Sequence, residues 1–255
     1  MEYKIIDTEN FSFLTFTTLE KYNVTNAIIL RKDNMGFSRI LSPEIREKSI
    51  KTIKEYFNIK EIVQPHQNHT DISTTIAELE NIEYSDAVIL EQKNIATIIA
   101  TADCMPIMLY DPINHIGANI HAGWKGVVNK ITEKTIKKLI ENYHSDPSEL
   151  IICIGPFIRK NNFVVNEDVI EIYKKSFTDE ELDKYIVKAN KINEKGINYL
   201  IDNAKLMKSR LLKLGIKKSN IHDCGICTVD NNDDWYSYRT EGNKANRIGT
   251  ILMLK

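Results

Sequence analysis

Residues 86–128 read DAVILEQKNIATIIATADCMPIMLYDPINHIGANIHAGWKGVV, and the pattern of this stretch decides the fold. Four apolar runs of strand length, Ala87–Leu90, Ile95–Ala100, Ile107–Tyr110 and Ile116–Ile120, are separated by short connections rich in Asp, Asn, Gly or Pro. Directly after them the period changes. Val127, Val128, Ile131, Ile136, Leu139 and Ile140 recur at helical spacing with lysines opposite, which predicts one amphipathic helix over residues 127–143 lying on a sheet. Working outward, Ala27–Leu30 and Ile151–Ile154 add two more strands. Ser42 is placed to cap a helix that opens on Pro43 and carries Ile45, Ile53 and Phe57. A third helix is predicted with Asn198 as cap, Leu200, Ala204, Met207, Leu211 and Leu214 on its face, and Gly215 as its stop. Residues 179–195 are densely charged with weak periodicity and read as a solvated helix or excursion. Strands outnumber clear helices and their order is irregular, so the expected class is α+β, with mixed β-sheets flanked by helices rather than a regular doubly wound sheet. Without repeats, Gly/Ser linkers or low-complexity tracts, residues 1–255 read as a single domain.

Lys and Arg total 34 against 35 Asp and Glu, a formal net charge of −1, and the lysines alternate with acids. Nucleic-acid binders gather basic residues into a patch or stripe, so nucleic acid is not an expected partner. The apolar runs are too short to span a bilayer, and the first residues, MEYKIIDTENFSFLTF, are interrupted by charge. A cytoplasmic protein, with no membrane association and a monomer as the default, is the expectation. The four cysteines, at 104, 153, 224 and 227, are too few for a disulfide framework in a chain of this length. Cys153, inside Ile151–Ile154, reads as a small buried hydrophobe.

Three of the six histidines stand in two segments with unusual surroundings. PHQNHTD places His66 and His69 in a polar turn after Ile62-Val63, and HAGWKG places His121 at a strand end before a glycine-containing turn into a helix. Between them, TADCMPIMLYDP sets Cys104 among turn formers. A thiolate and two neutral imidazoles suit a borderline-soft ion and leave one tetrahedral position open, the form of a catalytic site. Read as plain structure, the same residues cap a turn, pack in the core and satisfy a backbone carbonyl. Cys224-Gly225-Ile226-Cys227 is a lone C-x-x-C, with His222 its only nearby extra ligand.

In this order PHQNHTD, TADCMPIMLYDP and HAGWKG resemble the YfiH-type family, also catalogued as laccase-domain, polyphenol oxidase or purine nucleoside phosphorylase proteins. Asp86-Ala87, Ile154-Gly155-Pro156, Val165 to Val169, Asp202, Cys227-Thr228 and Ser237-Tyr238-Arg239 extend the resemblance over nearly the whole chain. The resemblance implies a YfiH-like fold and a zinc ion held by His69, Cys104 and His121, with His66 outside the ligand set. The sequence departs from the family pattern at Lys125 and Thr240, where arginine is frequent, and at Asn246-Arg247, where Gly-Arg is usual.

The activity implied by the resemblance is zinc-dependent phosphorolysis of adenosine, inosine, guanosine and methylthioadenosine, with hydrolytic deamination of adenosine; the partners are then a nucleoside and phosphate. An open zinc position lowers the pKa of bound water toward about 7. Arg239 and Lys125 are the nominated phosphate contacts, and Asp103, next to Cys104, is a carboxylate that orients a ligand or moves a proton. Each has an ordinary alternative, as a surface ion pair, a solvated helix start and a turn cap respectively. Trp124 either stacks on a purine or belongs to the core. Three competing functions use the same residues. One is an amidohydrolase editing peptidoglycan precursors, with Cys104 as nucleophile and His69 or His121 as base. The second is copper-dependent oxidation of phenols, which normally calls for several copper centres. The third is a structural zinc in a partner-binding module, for which His66 is the nearest fourth ligand.

Overall fold

The computed structural model describes residues 2–193 and 196–255. The first half of the chain contains β1 (Tyr3–Asp7), β2 (Ser12–Phe16), β3 (Val24–Ile29), α1 (Pro43–Phe57), β4 (Glu61–Val63), β5 (Ser73–Thr75), β6 (Ala87–Leu90), β7 (Ile95–Thr101), β8 (Met105–Asp111) and β9 (Ile116–Ala122). After β9 come α2 (Trp124–Val128), α3 (Ile131–Tyr143), β10 (Ile151–Ile154), β11 (Val164–Asn166), α4 (Glu167–Lys174) and α5 (Asp179–Tyr185). The remainder holds β12 (Ile186–Asn193), β13 (Gly196–Ile201), α6 (Asn203–Lys213), β14 (Ile221–Asp223), α7 (Tyr238–Glu241) and β15 (Ile248–Leu254).

The strands form two six-stranded sheets, ordered β1-β2-β3-β15-β7-β4 and β14-β10-β8-β9-β6-β5, and a smaller sheet β11-β13-β12. Both large sheets are mixed: β4 runs parallel to β7, β14 to β10 and β5 to β6, and the other pairs are antiparallel. This is the α+β class with mixed sheets that the strand-rich middle predicts.

Alternation along the strands sets the layers. On β8, Ile107 and Leu109 join a core with Ile136, Leu139, Met207 and Leu211 of α3 and α6, while Met108 and Tyr110 face the other large sheet. On β3, Ile28 meets Met108 and Cys153 between the sheets, whereas Ala27 and Ile29 pack with Ile53 of α1. The two sheets therefore stack face to face, with α1 outside one and the remaining long helices outside the other.

Helix α1 starts and ends near its expected bounds, although the Ser42 side chain makes no capping bond. The helix predicted over 127–143 is two helices, broken where Lys130 adopts a left-handed φ of 64°. Val127, Val128 and Ile131 are buried across the break, so the same apolar stripe satisfies either geometry. The third helix begins later than predicted. Tyr199 and Ile201 are buried on strand β13, and the Asp202 carboxylate, not Asn198, accepts the capping bond from the Lys205 N–H at 3.0 Å. Residues 179–193 are α5 and β12; Glu194 and Lys195, the end of the predicted excursion, lie outside the described residues. No helix is long and apolar enough to cross a membrane among the described residues.

Candidate metal centre

His121 is the penultimate residue of β9, Cys104 is the last residue of the turn between β7 and β8, and His69 sits in the loop between β4 and β5. The pairing of Pro106 with His121 places the end of β9 beside the start of β8, two residues past Cys104. The loop carrying His69 is docked by Gln67, whose amide donates to the Ala100 carbonyl and accepts from the Ala100 N–H, both at 2.8 Å. Its ligand-forming atoms, those of Cys104 and those of His121 all lie within 4.8 Å of one another, and the Cys104 Sγ is 3.7 Å from His69 Nε2. Metal bonds of about 2.0–2.3 Å require such a convergence, and His69 is the exposed member of the three.

Asp86, fully buried just before β6, organises the group. Its carboxylate accepts from the backbone N–H groups of Asn68, His69 and Thr70, from the Thr70 hydroxyl, and from His121 Nδ1 at 2.6 Å. Burial alone would raise its pKa, but the bonds from His121 and Thr70 outweigh it and hold Asp86 down at about 2. With Nδ1 committed to Asp86, His121 is left with Nε2 for an ion, the arrangement that fixes the tautomer of metal-bound histidines. Burial opposes ionisation of both His121 and Cys104. Their mutual attraction, reinforced by Asp86 on one side and His69 on the other, prevails, lowering the Cys104 thiol to about 6 and raising His121 to about 9. A low thiol pKa suits metal ligation as well as nucleophilic attack.

Gly123 closes the floor of the centre. A Cβ there would stand 2.7 Å from His69 Cδ2 and 3.1 Å from Cys104 Sγ, so any larger residue at 123 displaces the His69 ring or crowds the Cys104 sulfur. His69 and Asp103 both hold left-handed backbone conformations, at φ 56° and 79°, a strain that surrounding contacts must offset. Asp103 does not bond to the three ligands. Its carboxylate accepts from the Thr228 hydroxyl and the Arg239 N–H, each at 2.6 Å, tying the Cys104 turn to the C-terminal segment.

The group opens on a cavity of about 880 Å³, within the range of small-molecule sites. Arg39, Arg239, Arg247, Asp168, Trp124, Phe163 and Tyr238 are among its lining residues. Arg239 donates to the Asn162 carbonyl at 2.8 Å through one of its nitrogens. Lys125 is placed differently from Arg239: it is exposed on α2, 5.8 Å from the centroid of the Trp124 ring, and does not line the cavity. Trp124 is partly buried against the core and also faces the cavity, combining its two expected roles. His66 is exposed at the rim and outside the convergent group.

The C-x-x-C pair lies apart from these ligands. Cys224 and Cys227 are buried; burial pushes the Cys224 thiol up to about 12, and Cys227 Sγ accepts from the Arg159 N–H and the Asn162 amide. Cys153 is fully buried between the sheets, its thiol pushed well up by burial.

A family model described as multi-copper polyphenol oxidoreductase laccase matches residues 18–255. The chain belongs to this laccase family. The laccase-family chain has relatives named for another reaction. It is 27% identical to a purine nucleoside phosphorylase of Clostridium acetobutylicum over all of both chains, and 31% identical to one of Campylobacter jejuni over 67% of each. In structure it is similar to the hypothetical protein YfiH of Bacillus licheniformis, with a TM-score of 0.86 at 19% identity over 98% of this chain and 99% of that one. YlmD of Geobacillus stearothermophilus superposes with a TM-score of 0.82 at 16% identity, covering 98% of each. These structural likenesses carry the YfiH-like fold.

Asp86 was legible only as part of the family resemblance, with no role attached. Its signal was a charge opening an otherwise apolar strand. Arg247 stands in the family position Asn246-Arg247 and Gln67 in PHQNHTD, but the docking role of Gln67 shows only in its bonds to Ala100.

Proposed function

We propose that this laccase-family chain is a zinc-dependent purine nucleoside phosphorylase, acting on adenosine, inosine, guanosine and methylthioadenosine. The observation that carries the reading is the convergence of His69, Cys104 and His121 on the wall of a cavity that also presents arginines and an indole. The names of the relatives give the reaction its class. The family's name invokes several copper ions, whereas one group of three ligand-forming side chains converges among the described residues. Two imidazoles and a thiolate fit zinc, and an open tetrahedral position would supply Lewis-acid polarisation of a bound oxygen, the chemistry that deamination of adenosine would use.

The chain's own residues divide the remaining work. Arg239, with donors left over after its bond to Asn162, holds phosphate together with Arg247. Asp103 acts as a positioning residue, fixing Arg239 through its backbone N–H. Lys125, exposed and not lining the cavity, has no part in this reading. Trp124 and Phe163 offer apolar ring surface to a base.

The test uses metal-analysed wild type and Cys104→Ala with adenosine, with and without phosphate, resolving adenine, ribose 1-phosphate and inosine by chromatography. Adenine and ribose 1-phosphate formed only with phosphate, metal and Cys104 support phosphorolysis, and inosine supports deamination. A protein that binds zinc but turns over no nucleoside removes the purine reading. The 3.7 Å approach of Cys104 to His69 favours a second reading, a cysteine amidohydrolase acting on peptidoglycan precursors. Loss of amide cleavage on alkylation of Cys104, without loss of metal, would select it.

A further inference from the structure

Asn203, the first residue of α6, lines the cavity and is 8% exposed. Its Oδ1 lies 2.9 Å from the hydroxyl of Tyr173, a residue with no exposed surface. Burial raises the Tyr173 pKa, so the hydroxyl keeps its proton. That proton has no other acceptor among the described residues, so the tyrosine donates and the amide oxygen must be the atom that faces it. The ring of Tyr173 is itself fixed, stacked at 6.5 Å on Trp124 and at 5.6 Å on Phe177. The orientation of the Asn203 amide is therefore set from behind. Its Nδ2 has no partner among the described residues, yet it is not one of the sealed polar atoms of the interior, so it opens on the cavity.

A ligand that meets this nitrogen must bring an acceptor, because the oxygen of the amide is already committed. Purines differ at position 6, where adenine carries a donor and hypoxanthine an acceptor, but all share the acceptor N7. A fixed donor aimed at N7 thus accepts the whole class. It also gains strength during the reaction: a phosphate oxygen bonds to C1′, the C1′–N9 bond breaks, and its electron pair leaves with the base as an anion shared between N9 and N7, later protonated by solvent. A donor placed where charge develops stabilises the transition state more than the ground state.

Resting on the purine-nucleoside reading above, we propose that Asn203 is the residue that recognises the base, its Nδ2 donating to purine N7 while Trp124, Phe163, Val165 and Val169 enclose the ring.

The test compares wild type, Asn203→Asp and Tyr173→Phe. Hypoxanthine and 7-deazahypoxanthine are titrated against the fluorescence of Trp124, with Trp235→Phe as background, and inosine and 7-deazainosine are compared as substrates at constant metal content. Asn203→Asp replaces the donor by an acceptor at the start of a helix, where a carboxylate is well tolerated. Wild type is expected to bind hypoxanthine about 10-fold or more tightly than the deaza analogue. Asn203→Asp should weaken hypoxanthine by about 10- to 100-fold and erase the preference, and Tyr173→Phe should narrow it. If wild type neither binds nor turns over any purine nucleoside, the purine reading fails and this assignment with it. If wild type handles purines but Asn203→Asp keeps the same affinity and preference, the role of Asn203 alone is overturned.

Discussion

The Asp86 carboxylate and His121 Nδ1 stand 2.6 Å apart, and the same carboxylate accepts the N–H of His69 at 3.1 Å. One buried charge thus sets both the ring orientation of one metal ligand and the backbone of another. Asp86→Asn keeps the shape but removes the charge and can no longer accept at every oxygen. Metal affinity should fall by about 10- to 100-fold, read by competition with a chromogenic chelator while circular dichroism confirms the fold. Unchanged affinity would show that other contacts orient His121.

Gly123→Ala places a methyl against His69 and Cys104 at distances that neither can keep. His69 is exposed and can swing away, whereas the Cys104 turn is held through Asp103. The expected result is a folded protein with metal stoichiometry well below wild type, measured by elemental analysis after gel filtration. Full stoichiometry with wild-type affinity would contradict the tight floor.

Asp103→Asn separates a positioning role from proton transfer. If Asp103 acts by holding Arg239 and Thr228, KM for phosphate should rise by about 10-fold with kcat, metal content and pH profile little altered. A fall in kcat accompanied by loss of one limb of the pH profile would instead assign it a proton.

Arg239 and Lys125 should behave oppositely. Arg239→Ala is expected to raise KM for phosphate by about 10- to 100-fold, whereas Lys125→Ala should leave it within about twofold, as for a surface residue. Equal effects would place Lys125 in the site after all.

Much of this arrangement was legible because strands and ligands share local signals. Ala87–Leu90 and Ile151–Ile154 are strands over the predicted residues, since an apolar run between turn formers has few other uses. His69, Cys104 and His121 come together because each ends or follows a strand of the central sheets. What escaped depended on distant partners. The break at Lys130 leaves the buried stripe intact, so no pattern announces it. The expected cap Asn198 lies instead on β13, which pairs with β11 and β12, so α6 starts later, capped by Asp202. Asn203 looks like any polar helix residue until Tyr173, 30 positions earlier, is seen to hold its oxygen.

The titration of the centre gives metal binding a definite pH dependence. In the metal-free protein Cys104 is lowered to about 6 and His121 raised to about 9, so between these values the pair is a thiolate and an imidazolium. The depressed thiol contributes stability that is full above its unfolded pKa of about 8.5 and is lost as pH falls through about 6; the raised imidazole contributes stability that is full below about 6.5 and is lost as pH rises through about 9. A metal needs the thiolate and a neutral His121, so its binding must expel one proton from this pair between about pH 6 and 9, and two below about pH 6. The pair's contribution to affinity should therefore rise about 10-fold per pH unit across that window and level off above about 9. Isothermal titration in buffers of different ionisation enthalpy counts the released protons directly. A count near zero at neutral pH would mean that His121 is already neutral in the metal-free protein, and that Asp86 holds its ring without holding its charge.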